Sequence, residues 1–396
     1  MVALIATLTL IGCGDSGCPT TSLGSGGGGT TGGGVNTGGS VCGSGVNNGG
    51  GSAAGFVFYI DTAVETAALT TSGGFSAVAT NPDGFPSGAT GTHDMETVES
   101  KFLYIPWTGT NNVAQAFTIN SGGSLTSISG SPFLLNPTAT ADGAVPDPQG
   151  RFLYVGGLFT GSISAFQIDQ TTGALTESPG SPFINGQNFS ADSMAIDGSG
   201  KYLYVAQSTS TAPVWVYAID QNNGALTAVG AFDLGVAQIH CDSSGKYLLG
   251  VAETANQFGL ATEQDIHVFS IDSSGLPSEV AGSPFATVAA PFDFAISPNG
   301  RFVYTQGNVA GGGATAPIEG FQIDPSTGTL TALPNSPFAN LPSDLIQCRF
   351  NSGGGVMFCG NDTFSGFTAV LTNPSTGGLT NNVPDLLAIS FPFASN

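Results

Sequence analysis

The stretch Gln149-Gly150-Arg151-Phe152-Leu153-Tyr154-Val155, followed shortly by Phe166-Gln167-Ile168-Asp169-Gln170-Thr171-Thr172-Gly173-Ala174-Leu175-Thr176, decides how this chain is read. The first part is a glycine turn running into an aromatic and β-branched strand. The second is a strand, a polar turn and another strand, with Gly173 supplying the positive φ that a tight hairpin connection demands. Two hairpins in succession describe a small antiparallel sheet.

The same unit recurs along the chain. The turn and aromatic strand return at Glu99-Ser100-Lys101-Phe102-Leu103-Tyr104, Gly200-Lys201-Tyr202-Leu203-Tyr204-Val205, Gly245-Lys246-Tyr247-Leu248-Leu249 and Asn299-Gly300-Arg301-Phe302-Val303-Tyr304. Degenerate copies stand at Phe56-Val57-Phe58-Tyr59 and Gly355-Val356-Met357-Phe358. That makes seven copies, at a period of about 45 to 55 residues, which is the range of four-stranded propeller blades. Five of the six basic residues occupy one equivalent turn position, so they are architectural and not catalytic. The strand-turn-strand element recurs at 217–227 and 321–331, with looser versions at 117–126, 269–276, 69–76 and 370–380. A third element, Ser-Pro-Phe, closes units at 131–133, 181–183, 283–285 and 336–338, where proline suits a strand end or an exposed edge.

Each unit is therefore predicted to hold four short strands, and the fold is an all-β propeller of seven blades. The copy starting at Phe56 lacks its leading strand, whereas Leu386-Leu387-Ala388-Ile389-Ser390 is apolar and unclaimed. This segment resembles the leading strand Phe294-Ala295-Ile296-Ser297, so it is expected to join the first blade and close the ring. The alternative makes it an outer strand of the last blade.

Composition narrows the function. Only 8% of residues are charged, and 27 acidic against six basic residues give a net charge of −21. Such a surface repels nucleic acid and anionic headgroups. It also disfavours phosphorylated substrates unless a local basic pocket intervenes. The hydrophobic fraction of 40% is strongly patterned, which argues for a folded body.

The N-terminal region reads differently. Residues 1–11 are apolar apart from Thr7 and Thr9, and they end in Leu10-Ile11-Gly12-Cys13, which resembles a bacterial lipobox with Cys13 as the lipidated residue. No Lys or Arg precedes the run, which points to a start further upstream, and Gly14 after the cysteine carries no inner-membrane retention signal. Residues 14–54 are Gly, Ser, Thr and Asn with few large side chains, as in a flexible tether spanning roughly 35 Å. The predicted organisation is a signal peptide over 1–13, a tether over 14–54 and a propeller over 55–396. It places a monomer in the bacterial cell envelope, held to the membrane through its lipid alone. Export permits disulfides. Cys348 and Cys359 flank the Gly-rich turn 351–355 and are placed to face each other across a hairpin, while Cys18 and Cys42 both lie in the tether and Cys241 stands apart. No cysteine or histidine spacing suits a metal.

The repeated Asp/Pro-x-x-Gly-Lys/Arg-Phe/Tyr-Leu-Tyr-Val and Phe-x-Ile-Asp-x-x-Thr-Gly-x-Leu-Thr resemble the lactonase-like, or YVTN-type, seven-bladed propellers over residues 56–396. The resemblance implies the fold strongly and an activity weakly. Some members hydrolyse 6-phosphogluconolactone or isomerise related lactones, and many are exported proteins without an assigned reaction. It implies no cofactor.

Lactone hydrolysis needs a base to activate water and donors for the developing oxyanion. In a propeller these gather where the innermost strands begin, eight residues before each basic turn residue. The positions are His93, Gly143, Ser193, Gln238 and Asp293, with Gln347 nearest in the last blade. Asp94 and Glu96 stand near His93 and would orient it, and Arg349 is the one basic residue outside the repeated turn. His93, Asp293 and Arg349 are thus the candidate catalytic residues, and Asp94, Glu96, Ser193, Gln238 and Gln347 the candidate ligand contacts. The competing reading is a water-filled channel lined by satisfied polar groups. His240 is expected to be a satisfied core histidine and His267 to face outward. Glu253, Glu263 and Asp265 cluster in the longest loop, where oxygen ligands suit Ca²⁺, yet no EF-hand spacing is present. The leading functional expectation is a binding module for a protein or a small sugar-like ligand, with a lactone-ring hydrolase as the alternative.

Overall fold

The computed structural model describes most of residues 53–380; residues 1–52, 381–396 and short connecting stretches such as 92–94, 136–139, 185–190, 208–211, 253–262, 309–316 and 362–366 lie outside the described residues. Cys13, the tether and the segment 386–390 are among those left out, so ring closure lies there too.

Among the described residues the chain forms seven antiparallel sheets in sequence order and no helix. They run over residues 53–80, 89–134, 140–184, 193–232, 238–286, 290–332 and 345–380. The first has three strands, Ala53–Ile60, Val64–Thr70 and Phe75–Thr80, and among the described residues no leading strand, as expected of a copy whose sequence lacks one. The others add strands outward from an innermost one, each pairing with its sequence neighbour.

Two departures from a uniform four-stranded unit stand out. In the second sheet two short strands, Ala89–Gly91 and Glu96–Val98, both pair with Phe102–Gly109, and residues 92–94 between them lie outside the described residues. In the second, third and fifth sheets Ser-Pro-Phe does not simply end the unit. It leads into a further two-residue strand (Phe133–Leu134, Phe183–Ile184, Phe285–Ala286) that returns to the start of the third strand. The serine fixes this return, because Ser131, Ser181, Ser283 and Ser336 Oγ each accept a backbone N–H, from Ala116, Ala165, Val268 and Gly320.

The basic turn is built around an acidic or polar residue four positions earlier. Asp147, Asp197 and Asp242 each accept backbone N–H bonds from the basic residue and the aromatic after it, while Ser297 and Asn351 hold the corresponding turns with a hydroxyl and an amide. The basic side chains then lie along the sheet junctions. Lys101 donates to the Gln170 carbonyl of the next sheet, Arg151 pairs with Asp147 at 2.7 Å, and Lys101, Arg151 and Arg301 sit over the rings of Phe102, Phe152 and Phe302.

The core lies between consecutive sheets and not within any one. Phe102 and Tyr104 pack with Leu153 and Phe166, Phe152 and Tyr154 with Leu203 and Tyr217, and Phe302 and Tyr304 with Phe350 and Met357. At each such junction an aromatic reaches the outer turn of the following sheet. A Cβ on Gly123, Gly173, Gly224, Gly275, Gly328 or Gly377 would come within 2.7 Å of a ring carbon of Phe56, Phe102, Phe152, Tyr202, Tyr247 or Phe302. The fully buried Tyr104, Tyr154, Tyr204 and Tyr304 donate their hydroxyls to the carbonyls of Gly173, Gly224, Gly275 and Gly377 at 2.8 to 3.0 Å.

Candidate active site

The innermost strands of the fifth, sixth and seventh sheets, Gln238–Cys241, Ala290–Ile296 and Leu345–Phe350, each bring one charged or titratable side chain to a common point. Asp293 is 7% exposed, and its Oδ2 lies 3.0 Å from Nη1 of Arg349. The same guanidinium nitrogen donates to the Cys348 carbonyl at 2.9 Å. On the other side, Nε2 of His240 stands 3.7 Å from Asp293 Oδ1, just beyond hydrogen-bond length, and has no hydrogen-bond partner among the described residues. Phe294 presents its ring edge-on to the imidazole, 4.9 Å between centroids at 82°.

Local backbone irregularity places the pair. The ladder shifts register between Pro291 and Asp293, and again between Ile346 and Arg349. Bulges of this kind re-aim a side chain, and here both charged residues directly follow one. The shift between Ile346 and Arg349 coincides with the Cys348–Cys359 disulfide, whose Cα atoms are 4.1 Å apart across the hairpin. The pairing matches the placement read from the Gly-rich turn.

Burial alone would raise the Asp293 carboxyl. The adjacent Arg349 cation and the His240 ring outweigh it and hold the pKa at about 2. Asp293 is therefore a permanent carboxylate at neutral pH and a poor base. Its charge faces Nε2 of His240, which favours the tautomer with the proton on Nε2 and the lone pair on Nδ1. A third of the His240 side chain is exposed, as is about a third of that of Arg349. The arrangement thus joins an oriented imidazole, a fixed anion and a cation, which suits proton transfer beside developing negative charge.

The sequence-derived candidates divide. Asp293 and Arg349 come together. His93 and Asp94 lie outside the described residues, as does the side chain of Gln347, though its strand is described. Glu96 is half-buried in the innermost strand of the second sheet and remote in chain order from the cluster. Ser193 is a stitch between strands: its Oγ accepts the Ile239 N–H at 3.0 Å. Gln238 is half-buried at the start of its strand. His240 departs from the expectation of a satisfied core histidine, since its Nε2 has no hydrogen-bond partner among the described residues and its ring lies beside Asp293 in the candidate site. The signal was available: His240 lies two residues after Gln238, and a period of two puts both on one side of the strand. His267 pairs through Nδ1 with Glu279 at 2.9 Å and lies 3.6 Å from Asp265, on the third strand of its sheet and away from the innermost strands. Glu253 is outside the described residues, and among those described no group of His, Cys, Asp and Glu has the geometry of a metal site. Burial, with Asp197 and Asp242 nearby, pushes the Cys241 thiol well up, so it is protonated and not a nucleophile.

Comparison with known proteins agrees with this architecture. Residues 97–238 match the family model described as lactonase, 7-bladed β-propeller. No curated protein sequence matches the chain. Among solved structures, a candidate 6-phosphogluconolactonase from Bacteroides uniformis is similar at a TM-score of 0.59 with 16% identity, covering 84% of this chain and 94% of that one. A second candidate 6-phosphogluconolactonase, from Bacteroides fragilis, gives 0.59 with 18% identity over 83% and 92%. The Pseudomonas aeruginosa periplasmic gluconolactonase gives 0.51 with 17% identity over 70% and 81%. At these identities the likeness is one of fold, and His240, Asp293 and Arg349 all lie beyond the matched segment 97–238. The chain is accordingly an all-β propeller, similar over residues 97–238 to the lactonase, 7-bladed β-propeller family and sharing its fold with these structures over most of its length.

Proposed function

We propose that the protein is a lactone-ring hydrolase acting on unphosphorylated sugar lactones. The observation that carries this reading is the convergence of His240, Asp293 and Arg349 from three neighbouring innermost strands. The names of the similar structures support the reaction class, since one is a gluconolactonase and two are candidate 6-phosphogluconolactonases. Charge supports the choice of substrate. Of six basic residues only Arg349 lies within an innermost strand, and the other five occupy the repeated turns at the sheet junctions. One cation, already paired with Asp293, is a weak recognition element for a phosphate dianion.

In this mechanism His240 accepts a proton from water at Nδ1 as the water oxygen bonds to the lactone carbonyl carbon. Arg349 faces the negative charge that develops on the carbonyl oxygen. Collapse of the tetrahedral intermediate breaks the ring C–O bond, and His240 returns the proton to the departing ring oxygen. Asp293 stays ionised throughout and holds both partners in place.

The test follows acid release from glucono-1,5-lactone and from its 6-phosphate by the full chain. Saturable turnover is expected with the neutral lactone and much weaker turnover with the phosphate. His240→Ala should lower kcat/KM by about 10²- to 10⁴-fold, as removal of a general base does. Rates equal to buffer with every lactone would overturn the hydrolase reading and return the binding-module reading to first place.

A further inference from the structure

Cys348 is held from two directions, and the Arg349 guanidinium bonds to the carbonyl of that residue. Its side chain is bridged to Cys359 in the neighbouring strand Val356–Asn361, and both half-cystines are fully buried. Its backbone N–H donates across the sheet junction to Oε1 of Gln306 at 3.1 Å. Gln306 is itself fully buried in the strand Phe302–Asn308, is the cross-strand partner of Asp293, and anchors its own amide by donating Nε2 to the Tyr304 carbonyl at 3.0 Å. The Cys348 carbonyl then accepts Nη1 of Arg349, the nitrogen that also meets Asp293. The ladder around Cys348 is irregular, so regular strand pairing does not fix this residue. A disulfide and one buried amide do so in its place.

We propose that Gln306 and the Cys348–Cys359 disulfide are positioning elements that set the Arg349–Asp293 pair, so that the competence of the site depends on the oxidised bridge. The assignment of a catalytic consequence rests on the hydrolase reading above; the positioning itself does not. Gln306 ties the sheet that supplies Asp293 to the sheet that supplies Arg349. The disulfide keeps the residue between them from relaxing into a regular ladder. With the bridge absent, the bulged segment has a neighbouring regular register open to it, and Arg349 swings away from Asp293. Displacement of a charged group by about 1 Å costs on the order of a hundredfold in rate.

The experiment compares the full wild-type chain with Cys348→Ala/Cys359→Ala, Gln306→Ala and Gln306→Glu, all at a temperature where circular dichroism shows each to be folded. Amide hydrogen exchange is read in the segment 345–350 and, as an internal control, in the innermost strand Ser193–Ile196. The double variant and Gln306→Ala are expected to exchange at least about tenfold faster at 345–350, with Ser193–Ile196 unchanged. Gln306→Glu keeps an acceptor for the Cys348 N–H but loses the Nε2 donor to the Tyr304 carbonyl, so it should restore only part of the protection. Lactone hydrolysis by the double variant is expected to fall about ten- to a hundredfold in kcat/KM, mainly through kcat. Unchanged exchange at 345–350 overturns the positioning claim whatever the activity. Faster exchange with undiminished kcat/KM overturns the dependence of the site on the bridge. If the wild-type chain hydrolyses no lactone, the hydrolase reading fails and the exchange data alone decide the positioning.

Discussion

Asp293 shows how one buried charge is made tolerable and then used. An isolated carboxylate at 7% exposure would protonate instead of staying charged. Arg349 at 3.0 Å and the nearby His240 reverse that tendency and hold its pKa at about 2. Because the folded value lies below the unfolded one, the stabilisation is present above about pH 4 and is lost as pH falls through about 2. Its size is on the order of 2 kcal/mol. Asp293→Asn should lower stability at pH 7 by about that amount and flatten the acid limb of the stability curve between pH 4 and 2. Urea midpoints measured across that range would show it; an unaltered acid limb would mean that Asp293 is not the group responsible. The candidate site is half legible in the sequence. Asp293 was found by counting back from a repeated turn, and Arg349 by its exclusion from that turn. His240 was not, because a lone histidine in an apolar strand carries no repeat to flag it, and only its spacing from Gln238 hinted at its side. Gln306 gave no signal at all: its meaning lies in the Cys348 N–H, a backbone group of the next sheet.

The individual strand and turn are where the sequence spoke most clearly. Among the described residues six outer turns carry glycine at one place, and each of these glycines has positive φ and an aromatic ring from the preceding sheet against it. The repetition made the signal unmistakable, since one constraint was written out once per unit. Gly224→Ala combines a φ of +73° with a Cβ 2.6 Å from Phe152 Cδ1. It is expected to cost about 3 kcal/mol through backbone strain and overpacking. Gly122→Ala, at a glycine with open space around it, should change stability by less than about 0.5 kcal/mol. Denaturant unfolding of the two variants separates these cases, and equal midpoints would remove the special status of the turn glycine. The short strands after Ser-Pro-Phe leave no signal in the sequence. A two-residue strand has no periodicity to detect, and the serine that fixes it acts through a hydroxyl bond to a residue some fifteen positions earlier.

At the scale of the whole molecule the fold is a chain of junctions. Among the described residues each shared core joins two consecutive sheets, so repeat counting is sufficient to predict their number and order. Four of the junctions carry a buried tyrosine hydroxyl, and burial pushes all four well above the usual phenol range. A raised folded value stabilises the protein below the unfolded pKa of about 10 and loses that contribution as pH climbs beyond it. Cooperative alkaline unfolding is therefore expected to begin above about pH 10, followed by circular dichroism together with phenolate absorbance. Tyr204→Phe should weaken the pH dependence by one group and lower neutral stability by about 1 kcal/mol, since the Gly275 carbonyl loses its partner. Phenolate absorbance rising well before structure is lost would contradict it.

The tyrosine ties also set a timetable for a chain emerging from the ribosome. Each hydroxyl and its glycine carbonyl are 69 to 73 residues apart. At a synthesis rate of roughly 5–20 residues per second, a newly made tyrosine is without its acceptor for several seconds. During that wait its sheet presents one unfinished wall, and the arrival of the next unit both covers that wall and exposes a fresh one. The growing molecule thus keeps one vulnerable face that moves along the chain with synthesis, and a chaperone serving this fold would have to follow it.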